Sequence, residues 1–149
     1  IMRKRIVFLI TSVLFSVSVF SADKVIPFEQ LPKNAQEFTR KYFSAEDPMY
    51  KQAYVTYDAE FFDSSYTVVF TTGDGLEFNK NGEWKDFDCN RCAVPDEIIP
   101  ATIKAYLSTY APEIQVKKIE KNRRDYEIKL SSGLELKFDL EGNLIEIDN

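Results

Sequence analysis

Apolar side chains recur at Leu31, Ala35, Phe38 and Tyr42, and the same steps of 4, 3 and 4 return at Ile99, Ile103, Tyr106 and Tyr110. Such steps bring side chains onto one face of an α-helix, so each run predicts an amphipathic helix with one buried stripe. Pro32 and Pro100 suit the first turn of each helix, where the backbone N–H has no partner to lose. After each helix the period falls to two. Tyr66, Val68, Phe70 and Tyr126, Ile128, Leu130 mark one strand in each half, and Leu76, Phe78 and Leu134, Leu136, Phe138, Leu140 mark the next. Runs near 50–58 and 114–121 supply a preceding strand, and the turns at Asn81-Gly82 and Glu141-Gly142 lead into a last one.

The two halves are copies. Residues 66–88 lie over 126–148 at a constant shift of 60, which matches Tyr66 with Tyr126, Gly73 with Gly133, Phe78 with Phe138 and Asp88 with Asp148. Residues 25–43 lie over 93–111 at a shift of 68, pairing Pro27 with Pro95, Pro32 with Pro100 and Tyr42 with Tyr110. The shift changes because two connections are shorter in the second copy, as expected of duplicated units. Treating both turns as two-residue hairpins sets Leu76 opposite Phe87, Leu136 opposite Ile147 and Phe138 opposite Ile145 on one face. On the other face it sets Lys137 opposite Glu146 and Asn79 opposite Trp84. The expected fold is α+β: two tandem α-β-β-β-β repeats, 25–88 and 93–148, joined by a connector at 89–92. Together they form an eight-stranded antiparallel sheet with both helices on one face and the other face open.

The N-terminus alters the picture of compartment and charge. Arg3, Lys4 and Arg5 precede an apolar run from Ile6 to Phe20 that ends in Ser21 and Ala22. This is the layout of a cleaved signal peptide, 1–22, and the run is shorter than the roughly 20 residues that span a bilayer. The expected mature chain, 23–149, is therefore a single periplasmic or secreted domain without a stable membrane anchor, and no cysteine near the cleavage region supports lipid attachment. Removing 1–22 moves the formal charge from −5 to −8. An acidic chain without a dense basic stripe disfavours nucleic acid.

The tandem helix-plus-four-strand plan, the "VPxxxxP" opening of the helices and the "GEWKDFD" closing hairpin resemble the PepSY-like proteins grouped with the β-lactamase inhibitory protein fold. The likeness covers essentially all of 25–149. It implies a binding protein, since inhibitor relatives engage an enzyme through the open concave sheet face and its loops. It implies no catalytic residue.

Chemistry-bearing residues are sparse. Cys89 and Cys92, in "DFDCNRCAVP", fall in the connector between the copies. A local structural disulfide is the leading reading in an oxidising compartment; free or intermolecularly paired thiols and redox or metal work are the alternatives. The chain has no histidine, so the usual Ser-His and Cys-His pairs are absent, and two thiols fall short of a closed zinc site. Residues 77–88 nearly follow a calcium-loop template, but Glu77 begins it, Asp88 ends it and strands flank it, so the hairpin accounts for its glycine. No metal, cofactor or catalytic residue is expected. Candidate binding anchors are Trp84 and Tyr54, placed off the core face, and Phe61 and Phe62 in the longer connection. The expected function is a non-enzymatic module that binds a protein partner, with inhibition of a hydrolase or peptidase as its narrower form. The alternative is a small-ligand carrier or sensor using the concave face.

Overall fold

A computed structural model describes residues 23–60 and 63–149; the expected signal peptide and the Phe61-Phe62 pair lie outside the described residues. The first unit comprises β1 (Lys24–Val25), a 3-10 turn at Phe28–Gln30, α1 (Lys33–Tyr42), β2 (Gln52–Asp58), β3 (Ser65–Phe70), β4 (Gly75–Asn79) and β5 (Trp84–Asp88). The second comprises a 3-10 turn at Asp96–Ile98, α2 (Ala101–Tyr110), β6 (Val116–Lys121), β7 (Asp125–Leu130), β8 (Glu135–Asp139) and β9 (Leu144–Asp148). The strands form one antiparallel sheet in chain order from β1 to β9. There are nine strands rather than eight because Lys24 and Val25 pair with Tyr57 and Thr56, an element too short to show as an alternation.

The doubled prolines explain how each helix starts. Pro27 and Pro95 open the 3-10 turns, and Pro32 and Pro100 occupy the N-cap positions of α1 and α2. A cap needs extended backbone, and proline supplies it at ψ near 143° and 141°. Leu31 and Ile99, held between the two prolines, are buried in the core.

One face of the sheet packs beneath both helices. Val68, Leu76, Phe87, Ile119, Ile128 and Leu136 stand in one continuous row across the strands, all buried. Phe38 of α1 meets Phe78 edge-on at 5.7 Å, and their repeat counterparts Tyr106 of α2 and Phe138 meet in the same way at 5.3 Å. The stripes differ at their ends. Tyr42 rests on Phe87 at 5.6 Å and donates its hydroxyl to Glu97 of the second unit, whereas Tyr110 is 71% exposed and Leu107 fills the buried position. Tyr110 has no following unit among the described residues to lie against.

The hairpin register corrects part of the sequence reading. Asn79 N–H donates to Glu83 and Gly82 N–H donates to Asn79, so the loop has three residues and places Gly82 at φ +80°. The second hairpin repeats this with Asp139, Asn143 and Gly142. A three-residue loop shifts the nearest pairs, and a bulge at Lys85 or Ile145 restores those beyond. Hence Leu76 opposes Phe87 and Leu136 opposes Ile147 as expected, but Phe78 meets Trp84 and Phe138 meets Leu144. Trp84 therefore lies on the helix-covered face, half-buried against the core, and not on the open face. Both glycines are also sterically required: a Cβ on Gly82 would lie 2.0 Å from Asn34 Oδ1, and one on Gly142 would lie 1.9 Å from Thr102 Oγ1. Each closing turn thus abuts the start of its own helix.

Candidate functional site: the open face of the sheet

Because strand side chains alternate between faces, the buried row fixes what its neighbours expose. Glu77, Asp86, Glu120, Glu127, Lys137 and Glu146 line up across β4 to β9 on the face away from the helices. A second row carries Asp88, Lys118, Lys129, Glu135 and Asp148. With Lys85, which the bulge turns toward Glu77, eight carboxylates share this surface with four lysines. Towards β2 the charge gives way to Thr67, Val69 and Tyr54.

Ion pairs order the acidic part. Lys118 Nζ lies 3.3 Å from Asp86, Lys137 Nζ lies 3.2 Å from Glu127 and 3.9 Å from Glu146, and Lys85 Nζ bridges Asp63 and Glu77 at 3.4 and 3.5 Å. Between Lys118, Glu127, Lys129, Glu135, Lys137 and Glu146 lies an open groove of about 340 Å³. Asp86 is the most constrained member. Burial pushes its carboxyl up to about 6 against the pull of Lys118, with Glu120 and Asp88 pushing the same way. Its Oδ1 is buried without a hydrogen-bond partner among the described residues. Burial works against the charge of Lys118 too, but Asp86 and Asp88 outweigh it and hold that amine above the ordinary lysine value.

The Asp86 environment has a direct consequence for stability. Its folded value, about 6, lies above the ordinary 3.8, so the folded state holds the extra proton between those values. This group's contribution is most favourable at low pH and is lost as pH rises through about 6. At 1.36 kcal/mol per unit the effect approaches about 3 kcal/mol. Between pH 3.5 and 7, the stability of Asp86→Asn measured by urea titration is expected to gain on the wild type by about 2–3 kcal/mol. Parallel stability curves would show that Asp86 ionises freely.

The residues singled out from the sequence do not converge. Tyr54 is on the open face opposite Val69 and 48% exposed, Trp84 is on the opposite face, and Phe61 and Phe62 lie outside the described residues. Cys89 and Cys92 are joined as a disulfide behind β5. Beside them sits a residue that sequence reasoning missed. Asp74, fully buried between β3 and β4, accepts the backbone N–H groups of Asn90 and Arg91 and the Thr72 hydroxyl. Asn90 in turn donates to the Thr72 carbonyl, so the connector is clamped to the preceding hairpin. The signal was available: at the repeat shift Asp74 meets Leu134, so the acid breaks the match between the copies. Asp74, Cys89 and Cys92 lie close enough to suggest a metal set, but both sulfurs are bonded to each other and the carboxylate is occupied by peptide N–H donors. In the stretch 77–88, Asn79 Oδ1 accepts the N–H groups of Asn81 and Glu83, as Asp139 does in the second copy, which is hairpin chemistry in both.

Three solved structures share this architecture. A protein from Bacteroides vulgatus described as a "putative periplasmic protein" of the DUF2874 family is 44% identical with a TM-score of 0.77, covering 85% of this chain and 97% of its own. A protein from Bacteroides thetaiotaomicron described as a "putative calcium-regulated periplasmic protein" is 46% identical with a TM-score of 0.76 over the same shares. A second Bacteroides vulgatus protein, described as a "putative periplasmic protein of unknown function", is 35% identical with a TM-score of 0.76, covering 86% of this chain and all of its own. No curated protein matches. No helix among the described residues is long and apolar enough to cross a membrane. A family model described as "Putative beta-lactamase-inhibitor-like, PepSY-like" matches residues 64–146, from the start of the β3 strand through most of the second unit, and with these relatives it establishes that the chain belongs to the PepSY-like family.

Proposed function

We propose that this chain is a non-enzymatic binding module of the periplasm or secreted space that engages a protein partner through its open sheet face. The observation that carries this reading is the uncovered face itself, where eight carboxylates outnumber four lysines around a groove. Such a field favours a partner with a basic surface, because complementary charge steers encounter and rejects acidic competitors. The inhibitor-like family description supports the narrower form, inhibition of a hydrolase or peptidase. The envelope location is supported by the periplasmic relatives and by the basic-then-apolar N-terminus. A small apolar ligand fits less well: a groove of about 340 Å³ is at the low end for ligand sites, and charged side chains line it.

Calcium is a second reading, as a modulator of this same face. One relative is described as calcium-regulated, and carboxylate oxygens are the ligands that ion takes.

Affinity capture from envelope and secreted fractions, run beside Glu127→Lys/Glu135→Lys, tests the proposal. The expected result is a saturable partner whose retention weakens at high salt and falls at least about tenfold with the charge-reversed protein. A partner held equally by both proteins would overturn it. Adding calcium to the same capture separates the second reading, since only that reading predicts a change beyond ionic strength.

A further inference from the structure

The duplication presents one strand edge twice, once covered and once bare. At the seam between the units β5 is covered by β6, with Asp86 opposite Glu120, Phe87 opposite Ile119 and Asp88 opposite Lys118. Phe87 is 1% exposed there. In the second unit β9 repeats β5, so Glu146, Ile147 and Asp148 stand for Asp86, Phe87 and Asp88. Sheet order leaves β9 paired only with β8 among the described residues, and Ile147 is 55% exposed. Ile145 and Tyr110, the counterpart of the Tyr42 that covers Phe87, are exposed as well. Exposed apolar groups beside an unpaired ladder form a template for strand addition.

The covered copy also shows what chemistry fits. The strand that nature placed on β5 reads "VKKIEK": Ile119 enters the core row, and Lys118 reaches Asp86 at 3.3 Å. We infer that β9 is an acceptor edge for an antiparallel segment of a partner protein in which an apolar residue opposite Ile147 is preceded by lysine. A second copy of this chain does not supply it. Two β9 strands pairing antiparallel about Ile147 would set Glu146 against Asp148 twice with no lysine to offset them, whereas the seam balances its one like-charge pair, Asp86 opposite Glu120, with Lys118 opposite Asp88. The far edge offers only the two residues of β1. The carboxylates of β9 thus disfavour self-pairing while leaving the edge open to a strand that brings lysine.

The probe is a capped peptide with the sequence of residues 115–121, QVKKIEK, titrated into the isotope-labelled protein and followed through backbone amide shifts. Saturable shifts confined to β9 and the end of α2 are expected, weakened at least about tenfold by Ile147→Lys or Asp148→Lys, and by replacing the two adjacent peptide lysines with glutamate. Both protein substitutions fall on exposed positions, so the amide spectrum verifies that the fold is retained. Shifts centred on Glu127 and Glu135, a peptide that binds Ile147→Lys equally, self-association through β9, or no saturation by about 1 mM would each overturn the inference.

Discussion

Phe87→Ala is expected to destabilise the protein by about 4 kcal/mol, lowering the thermal midpoint by on the order of 15 °C. The ring is 1% exposed and packs against Phe43 at 5.5 Å, Tyr42 at 5.6 Å and Phe38 at 6.1 Å. It also faces Ile119 across the seam between the units. A cavity there cannot collapse easily, because α1 closes it from above and strands of both copies close it from the sides. A domain of this size has about 5–15 kcal/mol in all, so both units are expected to lose stability together. Ile147→Ala, at the same repeat position but 55% exposed, is expected to cost less than about 1 kcal/mol. Similar losses for the two substitutions, read by denaturant unfolding, would show that the seam does not bury its edge as described.

Asp74→Ala is expected to cost about 3 kcal/mol, more than any other single polar replacement outside the open face. It removes a buried acceptor from two peptide N–H groups and one hydroxyl, and bonds to a charged group are worth roughly twice neutral ones. Asp74→Asn, which keeps one acceptor oxygen, is expected to recover about half of the loss. The Cys89–Cys92 ring spans only three residues of separation, so opening it with reductant is expected to cost less than Asp74→Ala. If reduction cost more than Asp74→Ala, the disulfide rather than the carboxylate would be holding the connector.

Most of the architecture was legible because it is written in local periods. The 4-3-4 steps, the alternation and the two shifts of 60 and 68 located the helices, eight of the nine strands and the duplication. What failed was non-local or depended on a single residue of loop length. Gly82 and Gly142 adopt positive φ in three-residue loops, and one extra residue moved Trp84 from the open face to the core side. Tyr110 obeyed the helical period but is exposed, with no counterpart among the described residues of the Glu97 that holds Tyr42. The acidic face could not be read from any one strand. Asp86 and Lys118 are 32 positions apart in the chain and meet only because β5 and β6 form the seam. Asp74 stood out only as a mismatch with Leu134 at the repeat shift, and what it holds was not legible, because Asn90 and Arg91 lie in the connector.

The measurement that bears most directly on the open face as the binding surface is carbodiimide labelling of carboxylates in the captured complex, read residue by residue by mass spectrometry. Glu120, Glu127, Glu135 and Glu146 are expected to lose labelling when the partner is bound, while Glu37 of α1 and Glu113 beyond α2 keep theirs. Protection of Glu37 and Glu113 with unchanged labelling on the sheet would contradict the account and place the partner on the helices.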